Sequence, residues 1–293
     1  MQKPPKHLTL LRMISSELRQ RARQALEQAY GAVPAVDARN YRWNARAYQE
    51  VLYELLGVLV PSTAASQSQL LQGKRVLDVG AGRGILTLAI RFLGAETHAI
   101  EKYAFDHSTS QMFKEGNEQE ILALWATHGI VPYVRDFYEM DTFIPPASFD
   151  AAVNLEVIEH LKAPKHFLDA IHRALKPGGF VITSTPNYGR MQARLRLLFG
   201  KNPKIDIEPF YTLGEQAFIG HWREYLPAEL VTMHRLSGFE HVRAHTFCDP
   251  FYLLKKHVSP WSLMQAAIHL VSYLLPDARY DAVCVGQKSR AAA

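Results

Sequence analysis

The apolar positions divide the chain into two parts. Between residues 8 and 60 they recur every three or four positions, which predicts two helices, at 8–30 and 45–60. From residue 75 onward, short runs rich in β-branched residues alternate with helical periods. That alternation is typical of βαβ units on a parallel sheet. The pattern therefore predicts an α/β fold preceded by N-terminal helices.

Seven short runs predict the strands of the sheet, and longer periodic segments predict the helices between them. The strands are expected at 75–79, 97–101, 131–135, 150–154, 180–184, 240–247 and 280–287. The helices are expected at 84–92, 105–116, 118–128 and 164–175. Proline and paired glycine at 175–179 predict a turn before the fifth strand. We expect a helical cap and linker over 1–72 and a main domain over 73–288.

Composition narrows the class of protein only modestly. With 293 residues, 48% hydrophobic and 21% charged, the chain can bury a core and is not of the disordered class. A formal charge of +5 permits anionic partners without requiring them. The two cysteines, Cys248 and Cys284, lack the spacing of a metal site, and a reducing cytoplasm is the expected compartment. No export signal and no membrane span are expected.

The strongest chemical signal is a glycine-rich loop after the first predicted strand. Asp78 is followed by Gly80, Gly82 and Gly84, and a helical period begins directly afterwards. Glycines allow a sharp turn and a close approach of the backbone to a ligand. The spacing differs from the G-x-G-x-x-G loop that holds a pyrophosphate, and Asp78 suits a cationic ligand better. The loop therefore predicts a nucleotide-type pocket with an acidic floor.

Two more acidic residues follow later strands. Glu101 ends the second strand, 23 residues after Asp78, and could accept two hydrogen bonds from a ribose diol. Asp136 and Phe137 follow the third strand and could contact an adenine amino group and ring face. Open α/β sheets bind ligands at the carboxyl ends of their strands, so these three loops are expected to share one pocket.

These motifs resemble those of class I S-adenosylmethionine-dependent methyltransferases over residues 74–288. The resemblance implies a Rossmann-like sheet of seven strands, mostly parallel with an antiparallel last strand, and helices on both faces. It also implies S-adenosylmethionine as cofactor. The implied cofactor-binding residues are Asp78, Gly80, Ala81, Gly82, Gly84, Glu101, Lys102, Asp136, Phe137, Asn154, Leu155 and Glu156.

The run from Glu156 to Leu161 resembles the branch that contains ubiquinone-pathway O-methyltransferases and bacterial enzymes acting on saccharides or small metabolites. This resemblance implies O-methylation of a small-molecule, glycan or lipid-linked hydroxyl. A hydroxyl acceptor must lose its proton, and His160, His221 and Glu156 are the catalytic candidates. For each histidine the alternative is a purely structural role. The methylated atom, the acceptor and the oligomeric state stay open.

Two other functions fit the same residues. The run is also similar to that of RNA 3′-terminal 2′-O-methyltransferases, in which Glu156, Glu159, His160 and His221 would hold a divalent metal. The main prediction has no metal, and RNA is the less favoured acceptor. The third hypothesis is a subunit that binds S-adenosylmethionine without catalysis.

Two segments are longer than a minimal fold of this class needs. Residues 188–237 carry basic and aromatic residues and are expected to form a lid over the acceptor. Residues 251–276 form an insertion before the last strand. Packing on the domain is the favoured role of this insertion. The alternative is a reversible, peripheral membrane contact, because Lys255, Lys256 and Trp261 border an apolar run.

Overall fold

Seven strands form one continuous sheet in the order β3-β2-β1-β4-β5-β7-β6. The computed structural model describes residues 14–34, 44–61, 68–102, 117–203, 211–212, 220–250, 258–275 and 277–290. The strands are β1 (Arg75–Val79), β2 (Glu96–Ile100), β3 (Val131–Tyr133), β4 (Phe149–Leu155), β5 (Leu175–Pro186), β6 (Phe239–Phe247) and β7 (Asp281–Lys288).

Strand directions follow the predicted topology. β1 is parallel to β2 and β4, β2 is parallel to β3, and β4 is parallel to β5. β7 alone is reversed, since it runs antiparallel to both β5 and β6. The carboxyl ends of β1, β2 and β4 therefore lie at one edge of the sheet, where ligands bind in open α/β folds. The predicted Rossmann-like fold is confirmed.

Helices cover both faces of this sheet. The longer ones are α1 (Ser16–Ala32), α2 (Ala45–Leu59), α3 (Ile85–Phe92), α4 (Asn117–Thr127), α6 (Pro164–Ala174), α7 (Met191–Leu198), α8 (Pro227–Leu236) and α9 (Pro260–Ser272). A single turn, α5 (Met140–Phe143), precedes β4. Side chains alternate across each strand, so Val76 joins the core under α1–α4 and Leu77 joins the core under α6 and α8.

The two N-terminal helices belong to the same core as the sheet. Leu26 of α1 and Leu55 of α2 are fully buried in the cluster that contains Val76. α1 begins at Ser16, where the Ser15 hydroxyl caps the helix by accepting from Leu18 N at 3.2 Å. Residues 8–13 of the predicted helix lie outside the described residues. Leu71, predicted to lie in a linker, is completely buried.

The turn predicted at 175–179 is wrong, because these residues form the first half of β5. α6 ends at Ala174, and Leu175 already pairs with Phe149 of β4. The register then shifts between β4 and β5. Gly178 has a φ of +79°, and the proline and glycines lie in this irregular part of the strand. Proline and glycine therefore mark an irregularity within a strand at this position instead of a connection.

Several predicted boundaries shift by one to a few residues. β2 ends at Ile100, so Glu101 comes directly after the strand, and β3 ends at Tyr133 instead of 135. Gly84 precedes α3 as its left-handed N-cap residue. The predicted helix at 105–116 lies outside the described residues. Within the described chain, no helix combines the length and the apolar character that a membrane span requires.

Candidate functional site

Three glycines shape the loop between β1 and α3. Gly80, Gly82 and Gly84 have φ angles of +82°, +55° and +79°, a region that other residues rarely adopt. A Cβ at Gly80 would lie 2.4 Å from Val157, and a Cβ at Gly84 would lie 2.1 Å from Trp125 Nε1. A Cβ at Gly82 would meet no atom of the described residues within 4 Å. Gly80 and Gly84 thus permit tight packing, whereas Gly82 borders space that the described residues leave open and that a ligand could fill.

Asp78 forms the acidic floor of the loop. It is buried, and its Oδ2 accepts a hydrogen bond from Thr87 Oγ1 at 2.6 Å. Burial raises the pKa of Asp78 to about 7, with a smaller contribution from the charge of Glu101, while the Thr87 bond opposes the shift. A buried carboxyl group with this pKa ionises more readily when a cation binds beside it.

Glu101 joins the ends of β1 and β2. Its Oε2 accepts from Gly82 N at 2.6 Å, and its Oε1 accepts from Lys102 N at 2.9 Å. Burial raises the pKa of Glu101, and the two backbone hydrogen bonds oppose that shift. A carboxylate oxygen can accept more than one hydrogen bond, so both oxygens can still bind a hydroxyl pair. The geometry fits the ribose diol that the sequence predicts.

The contacts of the Asp136 carboxylate with the described residues are structural. Its Oδ1 accepts from Tyr138 N at 2.9 Å and caps a 3₁₀ turn, and its Oδ2 lies 2.8 Å from Lys102 Nζ. Phe137 is half-buried, with its ring edge-to-face on Phe167 at 5.4 Å. The ion pair brings two predicted cofactor residues together, Lys102 and Asp136. Their contacts with an adenine stay a prediction.

The end of β4 carries strained and buried polar groups. Asn154 is buried and donates from Nδ2 to Thr183 Oγ1 at 3.1 Å, and Leu155 packs against the core. Glu156 has a φ of +56°, which is rare for a residue with a side chain. Burial, followed by the charges of Glu159 and Asp281, raises the pKa of Glu156 well above its ordinary value. Strain and a shifted pKa are common features of functional sites.

The two candidate histidines meet but differ in their surroundings. Their rings are perpendicular, with centroids 4.8 Å apart. His221 Nδ1 lies 3.0 Å from Glu224 Oε1, and its Nε2 lies 4.0 Å from Glu159 Oε1. His160 is exposed, and its Nδ1 lies 3.3 Å from Gly220 O. His221 therefore has the carboxylate partner that orients an imidazole base, as in catalytic triads.

Two functional candidates were missed from the sequence, Glu224 and Asp281, and a third, Arg190, was expected only as one of the basic residues of the lid. Arg190 forms an ion pair with the buried Glu224. Burial raises the pKa of Glu224, but the hydrogen bonds from His221 and Arg190 outweigh it and lower the pKa overall. Burial raises the pKa of Asp281 to about 8 against the opposing charge of Arg190. The sequence offers one signal, the placement of Glu224 three residues after His221.

A subset of the predicted metal ligands lies close together. Glu159, His160 and His221 each place one ligand atom within 4.8 Å of the others. The carboxyl group of Glu156 interacts with that of Glu159 but is not part of this trio. A carboxylate with two imidazoles is a suitable donor set for a divalent transition metal. The positions of these three residues are therefore consistent with the metal-dependent alternative.

A family model described as a methyltransferase domain matches residues 48–243. The chain belongs to this methyltransferase family. The resemblance stated from the sequence is thereby confirmed, and with it the expected enzyme class and, at the level of the family, S-adenosylmethionine as the cofactor. The match begins inside α2 and ends inside β6, so it includes every candidate site residue named above except Asp281.

Similar proteins include several ubiquinone biosynthesis O-methyltransferases. The one from Nitrosococcus oceani is 33% identical over 172 residues, which cover 58% of this chain and 65% of the relative. The one from Vibrio atlanticus is 30% identical and covers 55% of this chain and 61% of the relative. The chain thus spans less than two thirds of the length of these relatives.

A solved structure supports the fold. It is a putative methyltransferase in complex with the Haloferax volcanii Trm112 methyltransferase activator. The match has a TM-score of 0.53 at 17% identity and covers 94% of this chain and 99% of that chain. At this identity, the similarity shows a shared fold and nothing about the reaction.

Proposed function

We propose that this methyltransferase transfers the methyl group of S-adenosylmethionine to a hydroxyl oxygen of a small-molecule, glycan or lipid-linked acceptor. The observation that carries the proposal is the hydrogen bond of 2.6 Å from Gly82 N to Glu101 Oε2, which holds the carboxylate at the glycine-rich loop beside space that the described residues leave open. Asp78 adds a buried acid suited to a cationic ligand. The O-methyltransferase relatives support oxygen as the methylated atom.

The proposed cofactor, when bound, supplies an electrophilic methyl group on a sulfonium. The chain's own residues hold donor and acceptor in line, because orientation provides most of the rate enhancement in such a displacement. Glu101 is assigned to the ribose, Asp78 to the cationic end of the ligand, and Asn154 and Leu155 to the pocket wall. The remaining task is to remove the proton from the acceptor oxygen.

We assign that proton to His221 Nε2. With Nδ1 donating to Glu224 Oε1, the imidazole keeps a lone pair on Nε2, on the side of Glu159. The bound cofactor would supply the methyl group, and His221 Nε2 would take the hydroxyl proton as the acceptor oxygen is methylated. The charge of Glu224 stabilises the resulting imidazolium. Glu156 lines the same side of the pocket, and the exposed ring of His160 lies perpendicular to that of His221.

The test is a transfer assay with tritiated methyl groups and the full chain. Lipid, glycan and RNA fractions serve as acceptors, and formation of S-adenosylhomocysteine is measured in parallel. We expect labelled product from a lipid or glycan fraction and loss of cofactor binding in Glu101→Ala. Cofactor binding without S-adenosylhomocysteine formation in any fraction would instead favour the non-catalytic subunit.

The second candidate function is metal-dependent 2′-O-methylation at the 3′ end of RNA. Its support is the trio Glu159, His160 and His221, which would hold the ion and could bring it next to a ribose hydroxyl. Turnover on RNA that a chelator abolishes and zinc or magnesium restores would favour this function. Turnover on a small acceptor that persists in chelator favours the main proposal.

We also propose a cytoplasmic location. For the insertion at 251–276, packing on the domain stays the favoured role, and reversible peripheral membrane contact is the alternative. Exposed apolar side chains on and after α9 support this contact. Residues 251–257 and 276 of the insertion lie outside the described residues.

A further inference from the structure

Arg190 lies between β5 and α7, directly before the first residue of that helix. Its guanidinium group is held on three sides. Nη1 and Nη2 donate to the two carboxylate oxygens of Glu224, the second at 3.4 Å. Nη1 also donates to Asn187 O at 3.0 Å, and the guanidinium carbon lies 5.6 Å from the centre of the Tyr280 ring. A planar donor with two prongs fixes the orientation of a carboxylate as well as its position.

Asn187 provides a rigid support for Arg190. It is completely buried, and its Nδ2 donates to two backbone carbonyl groups of the segment that enters β7, each at 2.8 Å. Its Oδ1 accepts from Gly189 N at 2.9 Å. These bonds tie the loop after β5 to the segment before β7, so the guanidinium group meets Glu224 from a fixed position.

The charge of Arg190 is balanced by Glu224. Their side chains are only 14% and 3% exposed, so water screens the ion pair little. Burial raises the pKa of Glu224, but the hydrogen bonds from His221 and Arg190 prevail and lower it overall. Burial raises the pKa of Asp281, the other acid beside Arg190, to about 8, so this acid is protonated at pH 7. Arg190 thus keeps ionised the carboxylate that contacts His221 Nδ1.

The tautomer of His221 depends on this carboxylate. An ionised Glu224 can only accept a hydrogen bond, so its Oε1, 3.0 Å from His221 Nδ1, requires the proton on Nδ1. Nε2 then keeps its lone pair, at 4.0 Å from Glu159 Oε1 and beside the perpendicular ring of His160. The opposite tautomer, with the proton on Nε2, could not take a proton from an acceptor there.

We infer that Arg190 is a positioning residue for methyl transfer: it fixes the carboxylate of Glu224, which holds His221 in the tautomer that accepts the hydroxyl proton. The inference rests on the proposed function and deepens it. Arg190 acts through Glu224, without contacting the acceptor. Because Arg190 directly precedes α7, the inference also links the start of the predicted lid to the base.

The experiment is nuclear magnetic resonance of the histidine rings in the full chain, made with isotope-labelled histidine and saturated with S-adenosylhomocysteine. Long-range proton–nitrogen spectra distinguish the two neutral tautomers and follow the titration, and the spectrum of His221→Gln assigns the signal. We expect the wild type to carry the proton on Nδ1 alone. In Arg190→Gln, the Nε2–H tautomer should appear, and the titration midpoint of His221 should rise by about half a pH unit or more, because the carboxylate loses its cation.

Two further variants separate orientation, charge and stability. Arg190→Lys keeps the charge without the paired donors, so both tautomers should appear while the midpoint stays near that of the wild type. Arg279→Gln is the matched control, because Arg279 is also half-buried and donates to a carbonyl group, Thr246 O, at 2.9 Å. It should change neither quantity. A single wild-type tautomer in either Arg190 variant, or an equal change in Arg279→Gln, would overturn the inference.

Methyl transfer by the same proteins is measured separately with the tritiated cofactor. We expect kcat to fall about tenfold or more in Arg190→Gln, with an unchanged KM for S-adenosylmethionine. Failure of the proposed function would show as no S-adenosylhomocysteine formation by the wild type. Failure of this inference would show in the histidine spectra, which need no acceptor.

Discussion

Thr87 donates a hydrogen bond of 2.6 Å to the buried carboxyl group of Asp78. Because burial raises the pKa of Asp78 to about 7, the ligand-free protein holds a proton there below that pH. The unfolded chain releases this proton near pH 4, so the contribution of Asp78 to folding stability falls as the pH rises from about 4 to 7. A cationic ligand binds the ionised carboxylate better than the protonated acid, so its affinity rises as the pH rises.

We therefore expect S-adenosylmethionine to bind about tenfold more tightly at pH 8 than at pH 6, because one pH unit below the pKa leaves about a tenth of the groups ionised. Asp78→Asn should bind weakly and remove this dependence. Thr87→Val deletes the bond that lowers the pKa, so its midpoint should move to higher pH. Titration calorimetry between pH 5.5 and 8 measures the affinity of the wild type, Asp78→Asn and Thr87→Val for S-adenosylmethionine. The same pH dependence in wild type and Asp78→Asn would contradict the assignment.

Two glycines of the loop should respond differently to alanine. Gly84→Ala places a Cβ 2.1 Å from Trp125 Nε1 at a positive φ, so we expect a loss of about 2 kcal/mol or more in the free energy of unfolding. The Cβ of Gly82→Ala meets no atom of the described residues within 4 Å, so this variant should cost about 1 kcal/mol, from its positive φ. Its Cβ would occupy the proposed ligand space instead.

Urea denaturation and cofactor titration separate these two effects. Gly82→Ala should lose roughly tenfold or more in affinity for S-adenosylmethionine, equivalent to about 1.4 kcal/mol, while keeping most of its stability. If Gly82→Ala binds like the wild type, the open space next to Gly82 does not hold the cofactor.

The contact between Glu101 and the glycine-rich loop was predictable from sequence because its signals are local. Asp78 lies near the end of β1, the glycines follow that strand directly, and Glu101 follows β2, so the topology alone brings them together. Glu224 was missed because only the tertiary fold shows that it joins His221 to Arg190. Asp281 was missed because its burial depends on β7 lying between β5 and β6.

The His221–Glu224 contact leads to a prediction on catalysis. His221→Ala should lower kcat about 10²- to 10⁴-fold, the usual contribution of a general base. Glu224→Gln keeps the shape but removes the charge that stabilises the imidazolium, so its kcat should fall by a smaller factor. His160→Asn should stay close to wild type, because His160 is exposed and its ring nitrogen lies near a backbone carbonyl.

Steady-state kinetics with saturating S-adenosylmethionine, with and without chelator, measure these variants. Cofactor affinity should be unchanged in all three, which checks that the fold is intact. Equal losses of kcat in His160→Asn and His221→Ala, both rescued by added metal, would contradict the base assignment and support the metal site.

The last prediction concerns exposed apolar side chains on and after α9. Leu270 is 48% exposed on α9, and Leu274, which follows that helix, is 80% exposed. If they insert into a bilayer, the full chain should sediment with vesicles containing phosphatidylglycerol, and Leu270→Glu combined with Leu274→Glu should abolish this. Leu236→Glu is the matched control, since Leu236 is 75% exposed on α8. Equal sedimentation of the double variant and the control would contradict membrane contact at α9 and leave packing on the domain as the role of the insertion.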